Sequence, residues 1–210
     1  MATIFMKKIT ERIYKHPTSN KLDKAIQARA DVIFENATIA MQREFESHPV
    51  TQEIDGGISS SNISGTLGGG KAPNNLFSFI GFRGSAKPTE PIRTRLDPSN
   101  TEGPKMVKVG KDTRGTNIRY QFKVSAPFEQ IYKDSPIPWA TGLSWVEKIE
   151  TEIPGFSHFL ADYGLKNSRS GGGIQKEEEV RSGRFRPPEG GYLTGIFARF
   201  VARMRGDLKQ

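Results

Sequence analysis

The most recognisable chemical spacing in the chain is Gly65-Thr66-Leu67-Gly68-Gly69-Gly70-Lys71, which matches the G-x-x-x-x-G-K of a phosphate-binding loop. In such a loop, backbone N–H groups cradle the phosphates and the lysine reaches the terminal one. A following hydroxyl holds Mg²⁺, and the loop joins a buried strand to the N-terminus of a helix. None of these supports is written around Lys71. The preceding ISSSNIS lacks the apolar run of a buried strand, position 72 is alanine, and Pro73 leads into LFSFIGF, whose alternation predicts a strand rather than a helix. The cluster reads as a glycine-rich hinge, and no cofactor-binding residue is expected in it.

The other candidates are weaker. The chain has no cysteine, which removes disulfides and thiolate metal sites, and His16, His48 and His158 are too scattered to suggest an imidazole metal site. Ser47-His48 and Ser157-His158 place hydroxyls beside imidazoles, but sequence neighbours rarely make a nucleophile and its base, and no oxyanion motif accompanies them. Glu177, Glu178 and Glu179 form the densest acidic run, in a glycine-rich stretch where solvated charge is the ordinary reading. The expectation is a protein with no catalytic residue, no cofactor and no metal.

The formal net charge of +8 points to an anionic partner. Arg181, Arg184, Arg186, Arg199, Arg203, Arg205 and Lys209 crowd the C-terminal stretch, with Glu189 and Asp207 as the opposing charges. Arg184-Phe185-Arg186 interleaves cation and ring as nucleic-acid grooves do. An acidic protein partner is the preferred reading, since no helix-turn-helix, zinc or RNA-binding aromatic motif is present. A non-catalytic nucleic-acid-binding protein is the alternative.

The elements that must position these groups begin with a long amphipathic helix over residues 20–47. Its apolar residues Leu22, Ile26, Ala30, Val32, Ile33, Ala37, Ile39, Ala40, Met41 and Phe45 fall mostly on one stripe; Ser19 or Asn20 caps it and His48-Pro49 ends it. Residues 1–19 form an arm or short helix carrying Ile4, Phe5, Ile9 and Ile13. Residues 54–74 read as a Gly/Ser-rich linker. Leu76 to Phe82 then read as a strand apolar on both faces, so that Leu76, Phe77, Phe79 and Phe82 are interface candidates. An edge strand is expected around Ile92 to Leu96, confined to the rim by its prolines.

Residues 105–125 predict a hairpin. Met106, Val107 and Val109 lead into the turn-rich GKDTRGT, and Ile118, Tyr120, Phe122 and Val124 then alternate with Arg119, Gln121 and Lys123, giving one buried and one basic face. Two short helices follow, at 143–152 and 155–162, with Trp139 and Trp145 as anchors. Residues 164–191 read as a mobile or partner-ordered loop. The C-terminal YLTGIFARFVARMRGDLKQ is an amphipathic helix with Leu193, Ile196, Phe197, Phe200, Val201 and Met204 on its apolar stripe. The whole predicts an α+β fold: a long helix on a small antiparallel sheet, short helices and extended glycine-rich loops. A core domain over 20–163 precedes an extended loop and basic helix over 164–210. No run of apolar residues is long enough to span a membrane, and the first ten residues lack the pattern of a secretory signal, so synthesis in the cytoplasm is expected.

Three blocks carry a family likeness: REFESHPVTQEIDGG (43–57), SGTLGGGKAPNNLFSFIGFRGSAKP (64–88) and GLSWVEKIETEIPG (142–155). In these blocks and in the order helix, linker, apolar strand, hairpin and short helices, the chain resembles tailed-bacteriophage neck proteins of the tail-completion or head–tail joining family, myovirus-type virion proteins. Residues 164–210 depart from the compact plan of that family. The resemblance implies a non-enzymatic structural protein of the virion that assembles with itself as a homo-oligomeric ring at the head–tail junction. Its neighbours would be portal or adaptor subunits on one side and tail tube or sheath on the other, with no membrane; a tail or baseplate component is the nearest variant. In such a ring Phe197, Phe200, Arg199 and Arg203 are further interface candidates, while Arg119, Lys123, Arg184 and Arg186 are candidates to face DNA in the lumen.

Overall fold

The computed structural model of the chain describes residues 4–5, 9–12, 19–67, 75–114, 117–138, 140–151, 159–161, 173–175 and 187–208. Helix α1, Ser19–Ser47, is its spine. Ile26, Ala30, Ala37, Met41 and Phe45 recur at helical spacing and are buried, whereas Val32 and Ile39 fall off that stripe and stay exposed. Pro49 stops α1 and at once starts α2, Pro49–Asp55, with His48 as N-cap: its Nδ1 accepts from the Val50 N–H at 3.2 Å. Val50, Thr51, Glu53 and Ile54 are buried, so the stretch after α1 is part of the packed body.

LFSFIGF is a helix, α3, Leu76–Ile80, and not the expected two-faced strand. Its brackets explain why. Asn75 accepts from the Ser78 N–H at 2.9 Å as N-cap, and Gly81, at φ +90, closes the C-terminus in the left-handed region. Alternation carries no information in a segment where every residue but Ser78 is buried. Ile92 to Leu96 likewise belong to a helix, α4, Glu90–Leu96, because Pro91 sits in its first turn, where no N–H is needed.

The hairpin forms as expected, though its strands run further than the sequence suggests. β3, Lys105–Arg114, pairs antiparallel with β4, Asn117–Ser125, from Lys105↔Ser125 to Arg114↔Asn117, so most of GKDTRGT is strand. A register shift between Lys108 and Gly110 leaves Val109 as an extra residue. The other side of β4 pairs with β1, Ile4–Phe5, and β2, Ile9–Arg12; of the two expectations for this stretch, an arm or a short helix, these residues rule out the helix by pairing as strand. β4 is therefore central and β3 lies at an edge.

After β4 come α5, Phe128–Lys133, the paired strands β5, Pro136–Ile137, and β6, Ala140–Ser144, and then α6, Trp145–Thr151. Trp145 is buried as the expected anchor; Trp139 lies outside the described residues. Where a second short helix was expected at 155–162, the described part is a strand, β7, Phe159–Ala161, paired with β8, Gly173–Gln175, from the stretch expected to be loop. Helix α7, Leu193–Asp207, runs along α1 and joins the same core: Phe34 meets Phe200 edge-on at 6.0 Å, and Phe45 stacks on Tyr192 at 6.1 Å. The C-terminal helix is thus a wall of the core domain. The fold is α+β, as the residue patterns predict.

Candidate functional site

The residues on either side of the glycine cluster are held by three side chains. Residues 68–74, Lys71 included, lie outside the described residues. Upstream, Asn62 holds Leu67 by both main-chain groups, its Nδ2 donating to the Leu67 carbonyl at 2.7 Å and its Oδ1 accepting from the Leu67 N–H at 3.3 Å. Downstream, the Asn75 amide donates to the carbonyls of Ile58 and Ser60 at 3.0 and 2.8 Å. Between them stands Glu53, fully buried, whose Oε1 accepts from the Leu76 N–H at 2.6 Å and Oε2 from the Ser64 N–H at 2.8 Å. Two of the first three amides of α3, those of Leu76 and Ser78, are therefore already taken, one by the Glu53 carboxyl and one by the Asn75 side chain.

The other sequence-flagged groups do not converge. Ser47 Oγ donates to the Glu44 carbonyl at 3.3 Å and His48 caps α2, so this pair is occupied in local capping. Burial, and then the neighbouring Arg199 charge, push the His48 imidazole below its usual pKa despite Glu44. His158, Ser157, Glu177, Glu178, Glu179, Arg184 and Arg186 lie outside the described residues. Among the described residues no three or more His, Cys, Asp or Glu gather as metal ligands. No described helix is long and apolar enough to cross a membrane.

Interface candidates divide sharply. Leu76, Phe77, Phe79, Phe82, Phe197 and Phe200 are all core residues, which corrects the expectation that they meet a neighbour. Helix α3, buried except at Ser78, and the apolar stripe of α7 both belong to the core of one chain. Arg199 and Arg203 keep exposed side chains, yet both pair with Glu44 of α1, Arg203 at 2.8 Å. Burial would raise the Glu44 carboxyl, but the bonds from Arg199 and Arg203 outweigh it and hold its pKa below the usual value. The acidic group these arginines meet is on their own chain. The cations of α4 are engaged too: Arg93 bonds Glu46 at 2.7 Å and also reaches Asp55, while Arg95 bonds Asp134 at 2.6 Å.

What remains outward is the hairpin. Its inner face, Tyr120, Phe122 and Val124, is buried, and Asp23 of α1 clamps it by accepting from Lys111 at 2.7 Å and from the Tyr120 hydroxyl. Lys108 lies 4.7 Å from the Tyr120 ring centre and 3.6 Å from Asp23. The Lys111 bond first, and then the Tyr120 bond, bring the Asp23 carboxyl down to about 2. The outer face carries the lumen candidates Arg119 and Lys123, both half-buried, with exposed Lys105 and Gln121. The Arg119 Nε is buried with no hydrogen-bond partner. Val107 and Val109 are 56% and 47% exposed, with the bulge beside them. The sequence pattern of one buried and one basic face assigns neither valine to a face; Val107 faces outward opposite Lys123, and Val109 is the bulged residue next to Gly110, where a Cβ would stand 3.3 Å from Gln121 Oε1.

A second outward feature was not foreseen. A shallow cleft of about 390 Å³ opens between α5 and β6–α6, lined by Glu129, Tyr132, Lys133, Pro136, Leu143 and Glu147 among others. Leu143 is exposed there, and the Tyr132 hydroxyl is pushed above its usual pKa by burial first and then by the negative charges of Glu150 and Glu147.

Compared with protein families, curated proteins and solved structures, the chain has no match.

Proposed function

We propose that this chain is a non-catalytic structural subunit of a tailed-phage virion, assembling with itself as a ring at the head–tail junction and joining portal or adaptor to tail. The observation that carries the reading is the β3–β4 hairpin. Its inner face is locked to α1 through Asp23, while its outer face presents Lys105, Lys123 and Arg119 around exposed Val107 and Val109. Exposed valines on a rigid, charged hairpin fit an assembly contact better than a solvated surface. The sequence likeness in residues 43–57, 64–88 and 142–155 supplies the kind of assembly.

The test is co-assembly. Purified chain is mixed with portal or adaptor rings and with tail tubes from one phage, and the products are imaged by negative stain. The reading expects a layer added to one of these structures and fails if the chain adds to neither. A nucleic-acid-binding role has one observation in its favour, the basic outer face of the hairpin. It requires DNA or RNA binding that weakens steeply with salt, and absence of any complex at low salt removes it.

A further inference from the structure

The hairpin's outer face and the α5–α6 cleft are built by different elements: β3 packs on β4 and α1, whereas α5 packs on α4, α6 and β6. Their chemistry is opposite in charge and alike in apolar content. The hairpin presents Lys105 and Lys123 around Val107 and Val109. The cleft presents Glu129 and Glu147 around Leu143 and the Tyr132 ring, with Lys133 beside Glu129, so carboxylates outnumber cations in its lining. A patch placed on a two-fold axis would meet its own like, so the hairpin of one copy needs the cleft of another, either reciprocally in a pair or head-to-tail along a series. The ring reading selects the heterologous, head-to-tail contact, the type that closes into rings.

We infer that the hairpin of one copy docks in the α5–α6 cleft of the next copy, with Val107 and Val109 against Leu143 and with Lys105 and Lys123 facing Glu129 and Glu147. The occupant of the cleft is a second copy of this chain. The inference rests on the ring reading and names the surfaces that would build it. Glu129 is held within the chain by Lys133 at 3.3 Å, but both side chains of that pair are exposed, so the contact competes with a weak bond. The pairing is electrostatic at its rim, so assembly should weaken as salt rises.

The experiment uses three variants of the full chain, their masses measured by sedimentation. The hairpin variant carries Lys105→Glu and Lys123→Glu, the cleft variant carries Glu129→Lys and Glu147→Lys, and the third combines all four. Each of the first two should assemble at least roughly tenfold more weakly, because like charges then meet. Mixed in equal amounts they should assemble again, since each hairpin finds an opposite cleft only on the other variant. The fourfold variant should assemble by itself for the same reason, and either rescue also shows that the altered chains are folded. If the wild type assembles and the first two variants assemble equally well, or if neither mixing nor the fourfold variant restores assembly, the inference is wrong while the ring reading stands. If the wild type stays monomeric with and without its virion partners, the ring reading itself has failed. Loss of salt-sensitive DNA binding in a hairpin variant that still assembles would reassign the face to nucleic acid and overturn the contact.

Discussion

The Glu53 carboxylate receives the first amide of helix α3, Leu76 N–H to Oε1, at 2.6 Å. Across sequence this links α2 to a helix that follows the glycine cluster. Its other oxygen takes the Ser64 N–H at 2.8 Å, so a single buried side chain fixes both sides of the glycine-rich loop. Charge-assisted bonds to backbone amides offset the cost of burying a carboxylate. The same two bonds make the loop's entrance and exit a structural joint, with the Leu76 and Ser64 amides already satisfied from within.

Replacing Glu53 should therefore be felt throughout the core. Glu53→Ala leaves the buried Leu76 N–H and the part-buried Ser64 N–H without acceptors and should cost about 3 kcal/mol, and Glu53→Gln, which keeps one acceptor oxygen, about half of that. Urea unfolding checks both. In parallel, MgATP should leave the melting temperature of the wild type unchanged, whereas a ligand at a hundred times its Kd would add about 2.7 kcal/mol.

Acid should loosen the α1–α2 junction before it loosens the hairpin. The folded pKa of His48 lies below 6.5, so the unfolded chain binds the proton more readily and this part of the stability is full above pH 6.5 and lost as pH falls through the lowered value. Asp23 acts further down: its contribution is full above 3.8 and lost as pH falls toward about 2. The exposed setting of the Asp23 pair limits its contribution to about 1 kcal/mol. His48→Asn keeps a good N-cap without the titration, so the stability slope just below pH 6.5 should flatten in that variant. An unchanged slope would contradict the assignment.

Two glycines of α7 should respond oppositely to alanine. At Gly195 a Cβ would run into the Gly190 carbonyl oxygen, where the chain crosses the helix closely, and Gly195→Ala should cost about 1–3 kcal/mol. At Gly206 a Cβ meets nothing within 4 Å, and Gly206→Ala should stabilise by about 0.5–1 kcal/mol through helix propensity. Thermal unfolding of the pair separates close packing from backbone freedom.

Helices α1 and α7 and the hairpin were legible because each has one wet face, so periodicity marks the dry one. Periodicity failed for Leu76–Ile80, where every residue but Ser78 is buried, although the cap signals Asn75 and Gly81 were present in the sequence. The prolines suggested a strand confined to the rim at Ile92–Leu96, whereas Pro91 in the first turn of α4 starts a helix. The partners of Glu53 and Glu44 were out of reach of local reading: Leu76 and Arg199 lie far along the chain, and only the tertiary fold brings them in. The acidic cleft was missed for the same reason, since Glu129, Leu143 and Glu147 come from three separate elements.

The central claim is that this chain works as a closed assembly of copies. The most direct measurement is the particle mass of the purified 23.3 kDa chain, by sedimentation over a concentration series with and without tail tube or portal. The proposed ring should give a discrete mass, one fixed multiple of the chain, formed alone or upon its virion partner. A chain that stays at monomer mass in every mixture would contradict it.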